Sequence, residues 1–431
     1  MRGKSGEEKE AQVHGEPHVG KEERIHISLG RKLDIFYLDH ERASGLPFFT
    51  PNGMIIRNEL IQHMRTLNRR AGYEEVWTPL VFKTSLWKES GHLEAYIDRM
   101  YLIEKEENQY GLKPMNCPAH VILYQRKPCS YRDLPVRYSE FGIIHRYEQS
   151  GELSGLLRVR ALTMDDGHVF AREDQIQNEV RTLLGIVKEL MVDTFHFPDI
   201  RYALSMRAKP GEEKEGETYI GDWEVWEKAA QHLREALKSE GIQYVEKPGE
   251  AAFYGPKIDV DIKDSLGSWW QCSTIQVDYN LPRRFNLSYV DGDGKKVTPV
   301  MIHRALYGSL DRFIGILLEH YKGVLPAWLS PLQSMVIPIS ESNFRYAGEV
   351  KSHLTAEGVR ASADLFSNTL ERKIRDAYDQ KIPYLLIVGK KEEEAGDVAV
   401  RGRDNTTRYG VKIEDFLRSL KEEISEKRQS P

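Results

Sequence analysis

The chain has 431 residues, of which 40% are hydrophobic and 29% charged. This length predicts two or three domains, because a single hydrophobic core stops growing at about 250–300 residues. No apolar stretch approaches the ~20 residues of a membrane span, and three cysteines are too few for a disulfide scaffold. A net charge of -5 gives no sign of wholesale nucleic-acid binding but allows local basic patches. We therefore expect a cytoplasmic protein.

The first 29 residues mix Lys, Glu, Gly and His without an apolar core, which predicts a disordered leader. Residues 50–80 begin with the glycine and proline that are typical of a turn, continue in a helical pattern and end in a predicted strand. Leu60, Met64 and Leu67 form the apolar stripe of that helix.

The middle of the chain has the periodicities of antiparallel strands flanked by helices. A region at 206–250 is charged and polar, and its composition is typical of an insertion between catalytic parts. The predicted elements are strands at 138–148, 158–170, 257–263 and 268–278, and helices at 173–195, 222–240 and 303–321.

Short strands and helices alternate in residues 329–431, which include "SMVIPI", "YLLIVG" and "VAVRGR". This alternation predicts a compact α/β domain that ends in a helix from about residue 412.

Nucleotide chemistry is indicated by an arginine and a glutamate two residues apart, Arg146 and Glu148, in a predicted strand. Alternate residues of a strand share a face, so the two side chains can hold one ligand. For an isolated pair the commoner explanation is a solvated ion pair. The sequence contains no Walker-type loop and no GxGxxG between a strand and a helix, so nucleotide binding needs another scaffold.

Three segments together resemble motifs 1, 2 and 3 of the class II aminoacyl-tRNA synthetases. They are Pro79 in "EEVWTP", Arg146 with Glu148, and Arg312 in "GSLDRFIGILLEH". The strings "KPMNCPAH", "RVRALTMDDGH", "AAFYGPKID", "QCSTIQ" and "VMIHRALYGSLDRF" occur in the order and approximate spacing of the threonyl-tRNA synthetase family. The chain is identified as a member of that family.

The resemblance implies an α+β catalytic domain at 30–328, built on a mostly antiparallel sheet flanked by helices, and a smaller α/β anticodon-binding domain at 329–431. Motif 1 would lie at about 50–80, motif 2 at about 138–168 and motif 3 at about 301–321. In this class motif 1 forms a dimer interface, so a homodimer is expected.

The resemblance also implies a Zn²⁺ site with an open position for substrate, because cysteine and histidine are ligands that zinc prefers. In the family, zinc contacts the amino and hydroxyl groups of threonine, which valine cannot match. Other side chains would line the amino-acid pocket. The implied zinc ligands are Cys117, His168 and His303, and the implied pocket residues are Met115, Asp166, Tyr254 and Gln276.

For ATP, the resemblance implies Arg146 at the α-phosphate, Glu148 at the adenine edge, and Arg158 and Arg312 at the remaining phosphates. Mg²⁺ would neutralise the pyrophosphate leaving group. His92 is expected near the terminal adenosine of tRNA(Thr). In the C-terminal domain, Glu392 and Arg401 are candidate anticodon contacts, against the alternative of a solvated surface.

The sequence departs from the family pattern at two positions. Met164 stands where many members have glutamine, which removes a hydrogen-bonding group from the pocket wall. Asp311 stands where motif 3 usually has glutamate before its arginine.

The family often carries an N-terminal editing domain that hydrolyses seryl-tRNA, and none is expected ahead of residue 30. Serine lacks only one methyl group of threonine, which is worth about 1–3 kcal/mol in an apolar pocket. We therefore expect mischarging with serine and correction by a separate protein.

Two alternatives stay open at this point. One is a synthetase for another amino acid, since prolyl, histidyl and glycyl enzymes share both domain types. The other is a non-catalytic tRNA-binding paralogue, which the presence of Arg146, Glu148 and Arg312 disfavours.

Overall fold

The computed structural model describes residues 24–212, 219–264 and 266–428. Within them the chain forms two domains and passes from the first to the second between His320 and Ser334. Residues 1–23 of the predicted leader lie outside the described residues. Its predicted end is wrong, because residues 25–29 belong to the helix Ile25–Lys32, which buries His26 and Gly30.

The bounds of the first domain's elements, within the described residues, are as follows. The helices are α1 (Ile25–Lys32), α2 (Pro51–Arg70), α3 (Thr84–Glu89), α4 (His92–Tyr96), α5 (Cys117–Gln125), α6 (Ile176–Lys188), α7 (Trp223–Ser239), α8 (Asn280–Arg284) and α9 (Leu310–His320). The strands are β1 (Phe36–Leu38), β2 (Pro47–Phe49), β3 (Glu74–Glu75), β4 (Val81–Lys83), β5 (Leu102–Lys105), β6 (Asn108–Leu112), β7 (Val136–His145), β8 (Ala161–Ala171), β9 (Asp199–Met206), β10 (Tyr244–Pro248), β11 (Lys257–Lys263), β12 (Trp269–Asp278), β13 (Tyr289–Val290), β14 (Lys296–Val297) and β15 (Val300–Ser309).

The centre of this domain is an eight-stranded sheet with the order β10-β9-β11-β12-β15-β8-β7-β3. The edge pairs β10/β9 and β3/β7 are parallel, and the other neighbours are antiparallel. Helices α2, α6, α7 and α9 bury their apolar stripes on one face of the sheet. The mostly antiparallel sheet flanked by helices, expected from the family resemblance, is confirmed.

Helix α2 shows how the local sequence directs this packing. Thr50 caps its first turn by accepting a hydrogen bond from the Gly53 amide at 3.3 Å, and Pro51 occupies the first helical position. Leu60 and Met64, on the predicted stripe, are fully buried in the core. The stripe therefore faces the sheet as expected.

The helix predicted over 303–321 is wrong in its first third. Residues 303–309 belong to β15, and α9 begins at Leu310, where the Ser309 hydroxyl accepts a hydrogen bond from the Arg312 amide at 3.3 Å. Both faces of β15 are buried, so apolar side chains follow one another without alternation in two short runs, 300–302 and 305–307. Such a run cannot be told from a buried helix by periodicity alone.

The interpretation of 206–250 as an insertion between catalytic parts is also wrong. Strands β9 and β10 on either side of helix α7 pair with each other and extend the central sheet. Helix α7 buries Leu233 and Leu237 in the main core. The predicted helix exists, but its region is an integral edge of the domain.

The second domain has a five-stranded sheet with the order β17-β16-β18-β19-β20, covered by helices. β17, β16 and β18 run parallel, whereas β18, β19 and β20 are antiparallel. The elements are β16 (Ser334–Pro338), α10 (Phe344–Ala356), β17 (Ala361–Ala363), α11 (Leu370–Asp379), β18 (Tyr384–Val388), α12 (Lys390–Ala395), β19 (Val398–Gly402), β20 (Thr407–Val411) and α13 (Ile413–Glu426).

The two domains contact each other through polar side chains. Arg360 of the second domain pairs with Glu59 of α2 at 2.5 Å and donates to the Trp328 carbonyl at 2.8 Å. Lys32 of α1 pairs with Asp379 at 3.0 Å. Among the helices of the described chain, none combines the length and apolar composition needed to cross a membrane.

Candidate active site

A cavity of about 450 Å³ lies on the face of the central sheet opposite helices α2, α6 and α9. The two-residue period of each strand brings side chains to this face in pairs, and all of them except Ala305 are polar. The pairs are Asp166 and His168 on β8, His303 and Ala305 on β15, and Thr274 and Gln276 on β12.

Three buried metal-ligating side chains meet in the cavity. Cys117, His168 and His303 each offer a ligand atom, and these atoms all lie within 4.8 Å of one another. Cys117 is the first residue of α5, while His168 and His303 stand directly opposite each other across β8 and β15. The set expected from the family resemblance is therefore spatially close, although its members are far apart in sequence.

The electrostatics of this cluster suit a bound cation. Burial, and then the nearby carboxylates of Asp166 and Asp278, raise the pKa of the Cys117 thiol well above its ordinary value. Burial also lowers the pKa of His168 well below its ordinary value, which keeps the imidazole in its neutral, metal-binding form. A thiolate in this environment needs a cation beside it, and the two imidazoles complete a donor set that fits zinc.

Each histidine of the cluster has a buried partner on its other ring nitrogen. The Nε2 atom of His303 is 3.0 Å from the Asp278 carboxylate, and the Nδ1 atom of His168 is 2.8 Å from the Nδ1 atom of His120. The Tyr254 ring stacks on His303 with centroids 4.8 Å apart. Both imidazoles are thus held in place by neighbours.

The predicted amino-acid pocket residues line the same cavity. Asp166 accepts a hydrogen bond from the Asn116 amide at 2.6 Å, and the Tyr254 hydroxyl donates to Gln276 at 2.7 Å. Met115 and Met164 also line the cavity. Methionine at 164 offers the pocket a thioether in place of a hydrogen-bonding amide.

Gly142 on β7 shows how closely this pocket is packed. A Cβ atom at this position would lie 2.4 Å from the Asn116 side-chain amide. Any larger residue would therefore displace the group that orients Asp166.

His92 lies beside the cluster and is fully buried. Its Nε2 atom is 3.2 Å from the Met115 sulfur and 3.7 Å from the Cys117 sulfur, and its Nδ1 atom is 2.8 Å from the Ser90 hydroxyl. Burial, followed by the charges of His303 and Arg146, lowers the pKa of His92 to about 3. The ring is therefore neutral at ordinary pH.

Arg146 and Glu148 occupy different surroundings from those predicted. Strand β7 ends at His145, so the two residues lie just beyond it rather than on it, because the Glu148 amide turns back to donate to the Arg146 carbonyl at 2.8 Å. Arg146 lines the cavity. Glu148 instead pairs with Arg99 and with Arg158, whose Nε atom is 3.2 Å away.

Arg312 lies in the first turn of α9 and donates to the Leu157 carbonyl at 2.8 Å. Its neighbour Asp311, the departure from the family pattern, is buried and pairs with Arg57 of α2 at 2.8 Å. The Asp311 carboxylate also accepts the Thr163 amide at 2.8 Å. The shorter aspartate therefore still connects α9, α2 and β8.

The two anticodon candidates lie 30–40 residues from the end of the chain and are engaged within the second domain. Glu392 accepts the Gly389 amide at 3.0 Å and so caps α12. Arg401 on β19 donates to the Tyr378 hydroxyl at 2.8 Å and to Asn405 at 3.0 Å.

Sequence reasoning missed several polar residues around the cavity. His120 follows Cys117 by three residues on α5, a spacing that places both on one helix face and could have marked it. Asp278 alternates with Gln276 on β12, which is also a readable signal. No sequence pattern indicates a role for Asn116, Glu140 or Arg99, because their partners come from distant parts of the chain.

Comparison with known proteins agrees with this geometry. Residues 101–321 match the class II core domain of tRNA synthetases (G, H, P, S and T), and residues 333–423 match the anticodon-binding domain model. The chain is 50% identical over 400 residues to the threonine–tRNA ligase catalytic subunit of Sulfurisphaera tokodaii, covering 93% of this chain and 73% of that one.

A second relative is the threonine–tRNA ligase catalytic subunit of Metallosphaera sedula, with 49% identity over 403 residues that cover 93% of this chain and 73% of the relative. The fold is also similar to a crystal structure described as the RNA binding domain of threonyl-tRNA synthetase from Cryptosporidium parvum Iowa II. That comparison has a TM-score of 0.88 and 36% identity, and covers 94% of this chain and 98% of the other. The chain therefore belongs to the threonine–tRNA ligase family of class II aminoacyl-tRNA synthetases.

Proposed function

We propose that this enzyme activates L-threonine with ATP and transfers it to the 3′ end of tRNA(Thr). In the first step the threonine carboxylate attacks the α-phosphorus of ATP, and pyrophosphate leaves. In the second, a hydroxyl of the terminal ribose attacks the adenylate carbonyl, and AMP leaves. The observation that carries the proposal is the convergence of Cys117, His168 and His303 in a cavity that Arg146 also lines.

Cys117, His168 and His303 would hold one zinc ion per chain, because their chemistry and burial fit this metal. When bound, zinc would offer a Lewis-acidic position for the amino and hydroxyl groups of threonine. A buried site that requires a hydroxyl penalises valine strongly, since the valine methyl leaves a polar group unpaired.

The side chains around the cluster orient the amino acid. Asp166, held by Asn116, is placed to accept a hydrogen bond from the threonine hydroxyl. The Tyr254 and Gln276 pair forms one polar wall, and Met115 contributes an apolar one. These residues restrict the substrate to a small, hydroxylated side chain.

Arg146 stabilises the charge that develops on the α-phosphate, because a planar guanidinium binds phosphate oxygens in pairs. Arg158 and Arg312 are assigned to the other phosphates and Glu148 to the adenine edge. Mg²⁺ enters with ATP, as in the class II family. Glu148 is now engaged by Arg99 and Arg158, so ATP binding would have to share or displace these partners.

The site has little means to reject serine, which keeps the hydroxyl and loses one methyl group. That loss is worth about 1–3 kcal/mol, or about 10–200-fold. Because this discrimination is small, we propose that a separate protein removes seryl-tRNA.

For the whole enzyme we propose a cytoplasmic homodimer joined around residues 50–80, with Glu392 and Arg401 contacting the anticodon. The dimer is supported by Trp77, which is 76% exposed beside β3, and by Met54 of α2, which is 41% exposed. Tryptophan is enriched at protein interfaces, so an exposed Trp77 is a suitable anchor for a partner surface. Sedimentation that shows a monomer would contradict this part.

Pyrophosphate exchange into ATP tests the central proposal. We expect exchange with threonine, exchange with serine at a kcat/KM about 10–200-fold lower, and a much larger deficit with valine. Purified protein should contain zinc by elemental analysis. Absence of threonine-dependent exchange would overturn the activity, and exchange in zinc-free protein would overturn the role of the metal.

A further inference from the structure

A chain of buried hydrogen bonds leads from the zinc cluster to a carboxylate outside the cavity. The His168 Nδ1 atom is 2.8 Å from His120 Nδ1, and the His120 Nε2 atom is 3.1 Å from the Glu140 carboxylate. All three side chains are buried. The three residues come from β8, α5 and β7, so the series of hydrogen bonds connects three elements that surround the cavity.

Glu140 is held in place by donors on its other side. The Thr78 amide donates to it at 2.8 Å, the Thr78 hydroxyl at 2.9 Å, and the fully buried Lys113 ammonium at 3.2 Å. Burial opposes ionisation of Glu140, but the hydrogen bond from His120 and the charge of Lys113 outweigh it and keep its pKa below the ordinary value. Glu140 is therefore a carboxylate, which can only accept hydrogen bonds.

The direction of each hydrogen bond in the series follows from the ionised state of Glu140. Because Glu140 only accepts, His120 donates to it from Nε2, and an imidazole that carries a single proton there has an acceptor at Nδ1. The contact between the two Nδ1 atoms then requires His168 to donate from Nδ1. His168 is left with its lone pair on Nε2, which is the atom available to a metal.

We propose that His120 and Glu140 are positioning residues that fix the tautomer and orientation of His168 and thereby set the affinity of the site for zinc. This rests on the proposed zinc-dependent function. His303 has a carboxylate, Asp278, directly on its outer nitrogen, whereas His168 reaches its carboxylate through a second imidazole. Partners of this kind typically change metal affinity 10–100-fold when they are replaced.

The test compares two substitutions of His120. His120→Leu removes the acceptor for the His168 proton, so zinc should bind about 10–100-fold more weakly in a chelator competition. His120→Asn keeps an oxygen near the position of Nδ1 and should retain most of the affinity. His63→Leu is the matched control, because His63 is a buried histidine of α2 that packs against Trp328 and Phe195.

Cobalt(II) provides a second measurement, because its absorption spectrum reports coordination geometry rather than stability. We expect the tetrahedral spectrum of the unsubstituted protein to persist in His120→Asn and to weaken in His120→Leu. If His120→Leu does not fold, His120→Phe also lacks the acceptor and replaces it.

Equal zinc affinity in His120→Leu and the unsubstituted protein would overturn the positioning role. A loss in His120→Asn as large as that in His120→Leu would also overturn it. If the unsubstituted protein binds no zinc, the metal proposal itself fails, and that result is distinct from both.

Discussion

The two faces of the central sheet differ in chemistry although they are built from the same strands. One face presents Val169, Ile275 and Ile302 to the helices in a continuous apolar core. The other presents His168, Gln276 and His303, which are equally hidden from water but polar. Apolar burial needs only approximate volume, whereas each buried polar atom needs a specific partner. The alternation of apolar residues along the strands is therefore enough to form the first face, whereas the second face depends on individual hydrogen bonds.

The buried cysteines give the sharpest test of this difference, because Cys117 lies on the polar side and Cys272 lies in the apolar core, where burial raises its pKa to about 12. We expect Cys117→Ser to reduce zinc from about one ion per chain to a trace, because serine is a poor zinc ligand. Threonine-dependent exchange should fall by at least about 10²-fold. The matched Cys272→Ser variant should keep its zinc and lose only stability, and zinc retained in Cys117→Ser would refute the assignment.

Arg304 is a charged exception on the apolar side, fully buried against Asp165 at 2.5 Å and Asn68 at 2.7 Å. Arg304→Met would leave Asp165 as an uncompensated buried charge and should lower the free energy of unfolding by about 3–5 kcal/mol. Urea denaturation measures this change. Arg418→Met, which breaks the pair with Asp415 that is exposed on both sides, should cost about 0–1 kcal/mol, and equal losses would mean that burial does not decide the outcome.

Arg146 and Arg137 lie near opposite ends of β7 and serve different sides of the sheet. Arg146→Lys should lower kcat/KM for pyrophosphate exchange by about 10²–10³-fold, because an ammonium cannot replace a bidentate guanidinium at a phosphate. Arg137→Lys disturbs the pair with Glu179 of α6 and should reduce stability while the activity of the folded enzyme stays unchanged. Comparable activity in the two variants would remove Arg146 from the ATP site.

Substitution of His63, on the apolar side of the sheet, should have the smallest effect, a change in how the free energy of unfolding depends on pH. Burial, then the charges of Lys427 and Arg70, lower its pKa to about 3, whereas it titrates near 6.5 in an unfolded chain. Between these values the unfolded state binds more protons, so the free energy of unfolding falls as pH is lowered, by up to about 1.4 kcal/mol per pH unit. His63→Leu should flatten this slope between pH 6.5 and 5. An unchanged slope in His63→Leu would contradict the lowered pKa of His63.

The sequence allowed the fold to be predicted where periodicity was strong. The α2 stripe, the hairpin of β7 and β8, and the alternating second domain follow from spacing alone. The predicted start of α9 was wrong because β15 is buried on both faces, and β10 was missed because this edge strand carries polar residues. The family resemblance supplied the zinc ligands, which spacing could not have found.

The supporting residues of the site were beyond prediction for a physical reason. Asn116 beside Asp166, Arg99 beside Glu148 and Glu140 beside His120 are each joined by contacts that exist only after the sheet and helices have packed. No periodicity records such a partner, because its position depends on the three-dimensional arrangement of several elements. Only a resemblance or a structure can reveal them.

The direct opposition of His168 and His303 across β8 and β15 makes the proposed metal site depend on the register of these two strands. A slip of one residue in either strand would turn one imidazole toward the helices and expose part of the hydrophobic core at the same moment. A slipped chain would therefore lose one of the two histidines from the cavity and lose core packing as well, so it would not be stably folded. The proposed metal site therefore forms only in a chain whose two strands have paired in the correct register.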